Sequence, residues 1–125
     1  MDTRNDVREF MTGCGQTQDN AAQARLYMKL ISEEFHELIM AFVDGDVVEI
    51  ADACADVRWV IEGLEHSLRI PQQAVWDEVN RSNRSKFVNG VLNKDPVTGK
   101  VLKPDTYLPA DIKRILRENN HDLSF

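Results

Sequence analysis

Apolar residues recur every three or four positions along most of the chain, the spacing of helices with one buried face. The first such group consists of Val7, Phe10 and Met11, and two glycines follow it. The pattern therefore predicts a short first helix that ends at Gly13 or Gly15.

Two longer helices are predicted on either side of a short turn. Asp19 or Asn20 can cap the first of them, which runs to about Val43 with apolar residues at helical spacing. The sequence Asp44-Gly45-Asp46 then turns the chain, and its second aspartate can cap a helix that runs to about Leu68. We expect the two helices to be antiparallel neighbours.

The last third of the chain changes in character. Pro71 suits the first turn of a fourth helix, which ends near Asn83. The following segment, FVNGVLNKDPVTGKVLKPDTYLP, is rich in proline and glycine and predicts an irregular arm with a small hairpin at its Pro-Val-Thr-Gly turn. A last helix is predicted from Pro109 to about Glu118. The fold predicted is all-α, a four- to five-helix bundle with an irregular C-terminal arm, in a single domain over residues 1–125.

Composition limits the kinds of partner. Hydrophobic residues at 42% and charged residues at 29% are typical of a soluble globular protein. No apolar run approaches the roughly 18 residues of a membrane span, and the opening MDTRNDVREF lacks the features of a secretory signal. A net charge of -6 argues against nucleic acid as the main ligand. We therefore expect a cytoplasmic protein without a membrane or nucleic-acid partner.

The charges are divided along the chain. From Glu33 to Glu78 there are 12 acidic residues against two arginines, whereas from Arg81 to Arg117 there are nine basic residues against three aspartates. Two solvated faces of opposite sign are one explanation. A site for a metal triphosphate, which needs both signs, is the other.

Acidic residues share narrow stripes with apolar residues on the two long helices. At 100° per residue, Glu34 falls inside the apolar arc of the earlier helix, and Glu37 lies at its edge. On the later helix, Glu49, Asp52 and Asp56 fall within roughly 60° of one another beside core positions. Carboxylates between apolar flanks repel one another and are costly to bury unpaired, so the stripes predict a bound cation.

Distance from the turn decides which carboxylates face each other. At about 1.5 Å per residue, Glu37 and Asp52 lie roughly 12 and 10 Å from Gly45, and Glu34 and Asp56 both lie roughly 16 Å from it. In an antiparallel pair, these are the residues that meet.

Two alternatives to a metal stay open at this point. Two of the four carboxylates can be protonated, or Lys29 and Arg58 can reach over them, although neither base lies on the acidic arc. Oxygen ligands without His or Cys favour Mg²⁺ as the cofactor, with Mn²⁺ as a substitute.

The acidic residues form two motifs, Glu33-Glu34-Phe35-His36-Glu37 (EExxE) and, after the DGD turn, Glu49-Ile50-Ala51-Asp52 (ExxD). In these motifs the chain resembles the MazG-like and phosphoribosyl-ATP pyrophosphohydrolase-like all-alpha NTP pyrophosphatases. The later blocks NRSNRSKF and GKVLKPDTYLP extend the resemblance over about residues 7 to 112. The histidine-pathway enzymes of this group are usually more compact and lack the GKVLKP segment, so the resemblance favours other nucleotides as substrate.

This resemblance implies a homodimer or dimer of dimers that binds Mg²⁺ through these acids and converts (d)NTP to (d)NMP and pyrophosphate. The literal ExxD falls on Glu49 and Asp52, whereas the distances from the turn favour Asp52 and Asp56. The expected metal ligands are therefore Glu34, Glu37, Asp52 and Asp56, with Glu33 and Glu49 beside them.

The expected reaction is that of a nucleoside triphosphate diphosphatase, in which a metal-activated water attacks the alpha phosphorus. Glu33 or Glu34 orients or deprotonates that water. The candidate substrate-binding residues are polar or basic and come late in the chain: Asn80, Asn83, Lys86, Lys100 and Lys103. Two alternatives are a purine-selective (dGTP/GTP) or nonstandard-nucleotide pyrophosphohydrolase and, from another class, a noncatalytic helical dimerisation module.

Overall fold

The computed structural model describes residues 1–125 and contains five helices and no β-strand. The helices are α1 (Thr3–Gly13), α2 (Ala21–Asp44), α3 (Val47–Ser67), α4 (Gln72–Arg84) and α5 (Ile112–Glu118). The prediction of an all-α fold is confirmed. None of the five helices has the length and apolar character needed to span a membrane.

The chain divides into two compact units, one of residues 1–70 together with Phe125 and one of residues 71–124. Such a division does not test whether either unit folds alone. The single domain over residues 1–125 therefore stays a prediction.

Side-chain caps set the ends of the helices in the first unit. The Asn20 side chain accepts a hydrogen bond from the backbone N–H of Gln23 and begins α2. Gly45 ends α2 in the left-handed conformation, with φ of 69°, which glycine adopts without strain. Asp46 then accepts from the N–H groups of Val48 and Glu49 and begins α3. The chain thus reverses within two residues, and α3 returns along α2.

The core of the first unit lies where α1 and α2 pack on α3. Its buried residues are Val7, Met11, Tyr27 and Val60. The hydroxyl of Tyr27 donates to Oε1 of Gln16 at 2.7 Å, so the polar end of this buried ring is satisfied.

A buried carboxylate organises the second unit. The side chain of Glu78 is only 3% exposed, and it pairs with Arg81 on its own helix and with Arg114 of α5 at 2.9 Å. Arg81 also donates to the backbone carbonyls of Leu108 and Pro109. These contacts fasten α5 and the residues before it to α4.

The last helix begins three residues later than predicted, at Ile112 and not at Pro109. The carbonyl of Pro109 is turned toward Arg81, and the Asp111 side chain accepts from the N–H of Arg114 as the helix cap. A tertiary hydrogen bond therefore delays the start of α5. The predicted hairpin is present as an antiparallel bridge between Lys94 and Val101.

We predict that Gly63→Ala destabilises the protein, although alanine is the better helix former. A Cβ at Gly63 would lie 2.1 Å from Cε1 of the buried Tyr27 ring, so either the ring or α3 must move. The free energy of unfolding in urea should fall by about 1 to 3 kcal/mol.

Gly13→Ala is the matched control, because nothing lies within 4 Å of a Cβ built there. It should change the free energy of unfolding by less than about 1 kcal/mol. Equal stability of Gly63→Ala and the unchanged protein would contradict the close approach of Tyr27 to α3.

Candidate active site

Three glutamates of the EExxE motif lie on α2 and differ in their surroundings. Glu33 and Glu37 are exposed, whereas Glu34 is half-buried. Oε2 of Glu34 is buried and accepts no hydrogen bond. A carboxylate oxygen that has left water without finding a donor is energetically costly, so Glu34 is the least satisfied of the three.

The electrostatic neighbours of Glu34 are other acids. Burial raises its pKa above the ordinary value, and the neighbouring carboxylate of Glu37 raises it further. Asp56 of α3 and Glu33 add smaller contributions in the same direction. Glu34 thus lies within electrostatic reach of Asp56, the residue that the distance from the turn places opposite it.

Asp56 shows the same pattern from the side of α3. It is half-buried, and burial raises its pKa, followed by the charges of Asp52 and Glu37. Asp52 itself is exposed. The structure therefore brings Glu34, Glu37, Asp52 and Asp56 into one region of negative charge, which we call the acidic cluster.

Glu49 lies at the turn end of the helix pair. It lines a groove together with Glu37, His36, Asp44 and Asp46. Glu37 thus belongs to the acidic cluster and also lines this groove with Glu49.

No basic side chain neutralises the acidic cluster. The ion pairs of the chain lie elsewhere, and none joins Lys29 or Arg58 to these carboxylates. The arrangement in which those two bases cover the acids is therefore not the one observed.

The donor set fits a hard divalent cation in its chemistry, because it consists of carboxylate oxygens and includes the unpartnered Oε2 of Glu34. The side chains as they stand form no group of three or more that could hold a metal ion. The acids are thus close enough to repel one another but are not gathered at ligand distances.

The candidate substrate-binding residues belong to the second unit. Asn80 and Asn83 are exposed on α4, and Oδ1 of Asn80 accepts from Arg84 at 3.2 Å. Lys86 and Lys103 both lie over the ring of Tyr107. Lys100 is exposed and takes no part in this group.

Tyr107 was not identified from the sequence. The only signal for it in the sequence is its position as the one aromatic residue of the GKVLKPDTYLP block. Helical spacing carries no information about where a residue in an irregular arm will lie.

The chain is all-helical and carries acidic residues on an antiparallel helix pair, and the comparison with known families shows its class, that of the all-alpha nucleotide pyrophosphohydrolases. The phosphoribosyl-ATP pyrophosphohydrolase family model matches residues 13–83, more than half of the chain. The chain belongs to this family, within the MazG-like all-alpha NTP pyrophosphatase superfamily. No curated protein matches it.

Membership of the family supports an activity of the nucleotide pyrophosphohydrolase type, on phosphoanhydride bonds. The matched residues include both acidic motifs as well as Asn80 and Asn83. Lys86, Lys100 and Lys103 lie beyond the match.

We predict that Glu34→Gln stabilises the metal-free protein, because it removes one of several like charges at nearly constant volume. In EDTA at neutral pH, the Tm measured by calorimetry should rise by about 2 to 5 °C. Glu33→Gln, a change at an exposed neighbour, should shift the Tm less.

The same pair of variants reports on the cation. Added Mg²⁺ should raise the Tm of the unchanged protein more than that of Glu34→Gln, since a ligand stabilises the state that binds it. A Glu34→Gln protein that is no more stable than the original in EDTA would show that repulsion in the acidic cluster costs nothing.

Proposed function

We propose that the chain is a Mg²⁺-dependent nucleoside triphosphate pyrophosphohydrolase that converts (d)NTP to (d)NMP and pyrophosphate. The observation that carries the proposal is the acidic cluster, in which burial and neighbouring carboxylates raise the pKa of both half-buried Glu34 and half-buried Asp56. Family membership supports the class of reaction.

The proposed ligands are Glu34, Glu37, Asp52 and Asp56, with Glu49 as the alternative that the ExxD motif offers. Mg²⁺ held there, or Mn²⁺ in its place, would neutralise phosphate charge and lower the pKa of water. The carboxylates alone repel a triphosphate, so substrate and cation are expected to bind together.

The chain's own residues then perform three tasks. Glu33 or Glu34 orients the attacking water and accepts its proton. A bond forms between that water oxygen and the alpha phosphorus while the bond to the bridging oxygen of the beta phosphate breaks. The departing pyrophosphate carries away the negative charge, and the residues proposed to bind phosphate groups are polar or basic: Asn80, Asn83, Lys86, Lys100 and Lys103.

Direct measurement of products tests this proposal. The protein is incubated with each common NTP and dNTP, with nonstandard nucleotides and with phosphoribosyl-ATP, in Mg²⁺, Mn²⁺ or EDTA. Release of pyrophosphate and the monophosphate with Mg²⁺ but not with EDTA is the expected result. The nucleotide hydrolysed fastest decides between a broad enzyme and a purine-selective or nonstandard-nucleotide enzyme.

The rival from another class is a noncatalytic helical dimerisation module. It predicts no pyrophosphate from any of these nucleotides at any metal concentration. Release of a diphosphate and inorganic phosphate would instead contradict cleavage between the alpha and beta phosphates.

We predict that Glu34→Gln and Asp56→Asn each lower kcat at saturating Mg²⁺ by about 100-fold or more, because each removes charge from the proposed metal site. Circular dichroism should show unchanged helix content. Glu49→Gln is the discriminating variant. If it abolishes turnover while Asp56→Asn does not, the ligands are Glu49 and Asp52.

We propose that the partner of the chain is a second copy, in a homodimer or a dimer of dimers. Apolar side chains around the α2–α3 turn are between 69% and 76% exposed: Phe42, Val43, Val47 and Val48. Further along α2, Phe35 is 53% exposed. Soluble monomers seldom leave contiguous apolar surface of this kind uncovered.

Light scattering on a sizing column should therefore give two or four times the mass of the chain at micromolar concentration. Phe42→Glu should lower that mass, because it places a charge in the covered surface. Val97→Glu should not, although Val97 is 91% exposed, because it lies in the arm. A monomeric mass for the unchanged protein would exclude this assembly.

A further inference from the structure

Tyr107 brings together two lysines that are far apart in the sequence. The Nζ atom of Lys86 lies 5.7 Å from the centroid of the Tyr107 ring, and that of Lys103 lies 5.2 Å from it. Each distance is within the range at which an ammonium group is attracted to an aromatic face. One ring therefore holds two positive charges.

The backbone around Tyr107 is fixed to the end of α4. The N–H of Leu108 donates to Oγ of Ser85 at 2.8 Å, and that hydroxyl donates to the carbonyl of Ser82 at 2.6 Å. The N–H of Tyr107 itself donates to the carbonyl of Pro104 at 3.0 Å. The backbone that carries the ring is thus held in place by contacts that do not involve either lysine.

The two ammonium groups have no acidic partner, since the ion pairs of the second unit involve arginines only. A hydrogen bond with Ser82 lowers the pKa of Tyr107, and the charges of Lys103, Lys86 and Arg81 lower it further, against the effect of burial. The region around this hydroxyl is therefore positive, and it would attract an anion.

We propose that Tyr107 is a positioning residue, which holds Lys86 and Lys103 as a two-ammonium clip for one phosphate group. The ring face does this work, and the hydroxyl is not required. The proposal rests on the proposed function for the source of the phosphate, namely the pyrophosphate portion of the triphosphate. It assigns no part to Lys100.

Binding of inorganic pyrophosphate, measured by calorimetry at low ionic strength in EDTA, tests the clip without turnover. Lys86→Ala and Lys103→Ala should each weaken binding about tenfold, the loss of one charged contact. Tyr107→Leu should weaken it severalfold, whereas Tyr107→Phe, which keeps the ring, should bind like the unchanged protein. The Tm of each variant is recorded to show that the fold is retained.

Lys94→Ala is the matched control, because Lys94 lies in the same arm and has no contact with the ring. Its pyrophosphate affinity should be unchanged, and an equal loss there would show general attraction by positive charge and overturn the clip. Wild-type affinity in Tyr107→Leu would overturn it as well.

The two proposals fail separately. If the pyrophosphate affinities follow the expected order but no nucleotide is hydrolysed, the clip stands and the proposed function fails. If nucleotides are hydrolysed but Tyr107→Leu binds pyrophosphate normally, the proposed function stands and the clip fails.

Discussion

Repulsion between carboxylates on α2 and α3 is the constraint on which the candidate active site depends. The apolar core formed around Tyr27 and Val60 draws the two helices together, and in doing so it takes Glu34 and Asp56 partly out of water. Burial of apolar surface stabilises the packed helices, and the partial desolvation of the acids opposes it. No lysine or arginine of the chain pairs with them, so the protein holds together a group of acids that none of its own bases neutralises. An unneutralised charge of this kind favours a cation from solution.

The register of α2 against α3, which decides which carboxylates face each other, is set by a very short turn. Gly45 ends α2 in a left-handed conformation, and Asp46 immediately caps α3, so positions at equal distance from the turn face each other. At about 1.5 Å per residue, this geometry pairs Glu34 with Asp56 before any metal is considered. A longer turn would allow one helix to slide past the other. The placement of the acids is therefore a consequence of two capping residues at the turn, Gly45 and Asp46.

Local signals in the sequence were sufficient to predict most of the fold and to nominate the acids. Caps such as Asn20 and Asp46 act through neighbouring backbone groups, so they can be recognised without a tertiary structure. The start of α5 was missed because Arg81 takes the carbonyl of Pro109, a contact made across the second unit. The helical spacing of apolar residues in α2 predicts an apolar face, but periodicity does not say what covers it, and Phe35 and Phe42 on this helix are exposed in the single chain. The position of Tyr107 could not be predicted from the sequence either, because it depends on hydrogen bonds between the arm and the end of α4.

The family match covers the residues of the acidic cluster but not those of the proposed phosphate site. Residues 13–83 contain the acidic cluster, whereas Lys86, Lys103 and Tyr107 come after them. Hydrolysis of a phosphoanhydride needs charge neutralisation and an activated water, and the proposed cation site on α2 and α3 would supply both. Recognition of the leaving phosphates needs positive charge held at a fixed spacing, which flexible lysines do not provide unaided. In this chain, Lys86 and Lys103 both lie over the ring of Tyr107. Glu78 fastens the residues that follow the ring to α4 through Arg81 and Arg114. On this proposal, a change in the arm would alter phosphate binding without any change in the acids.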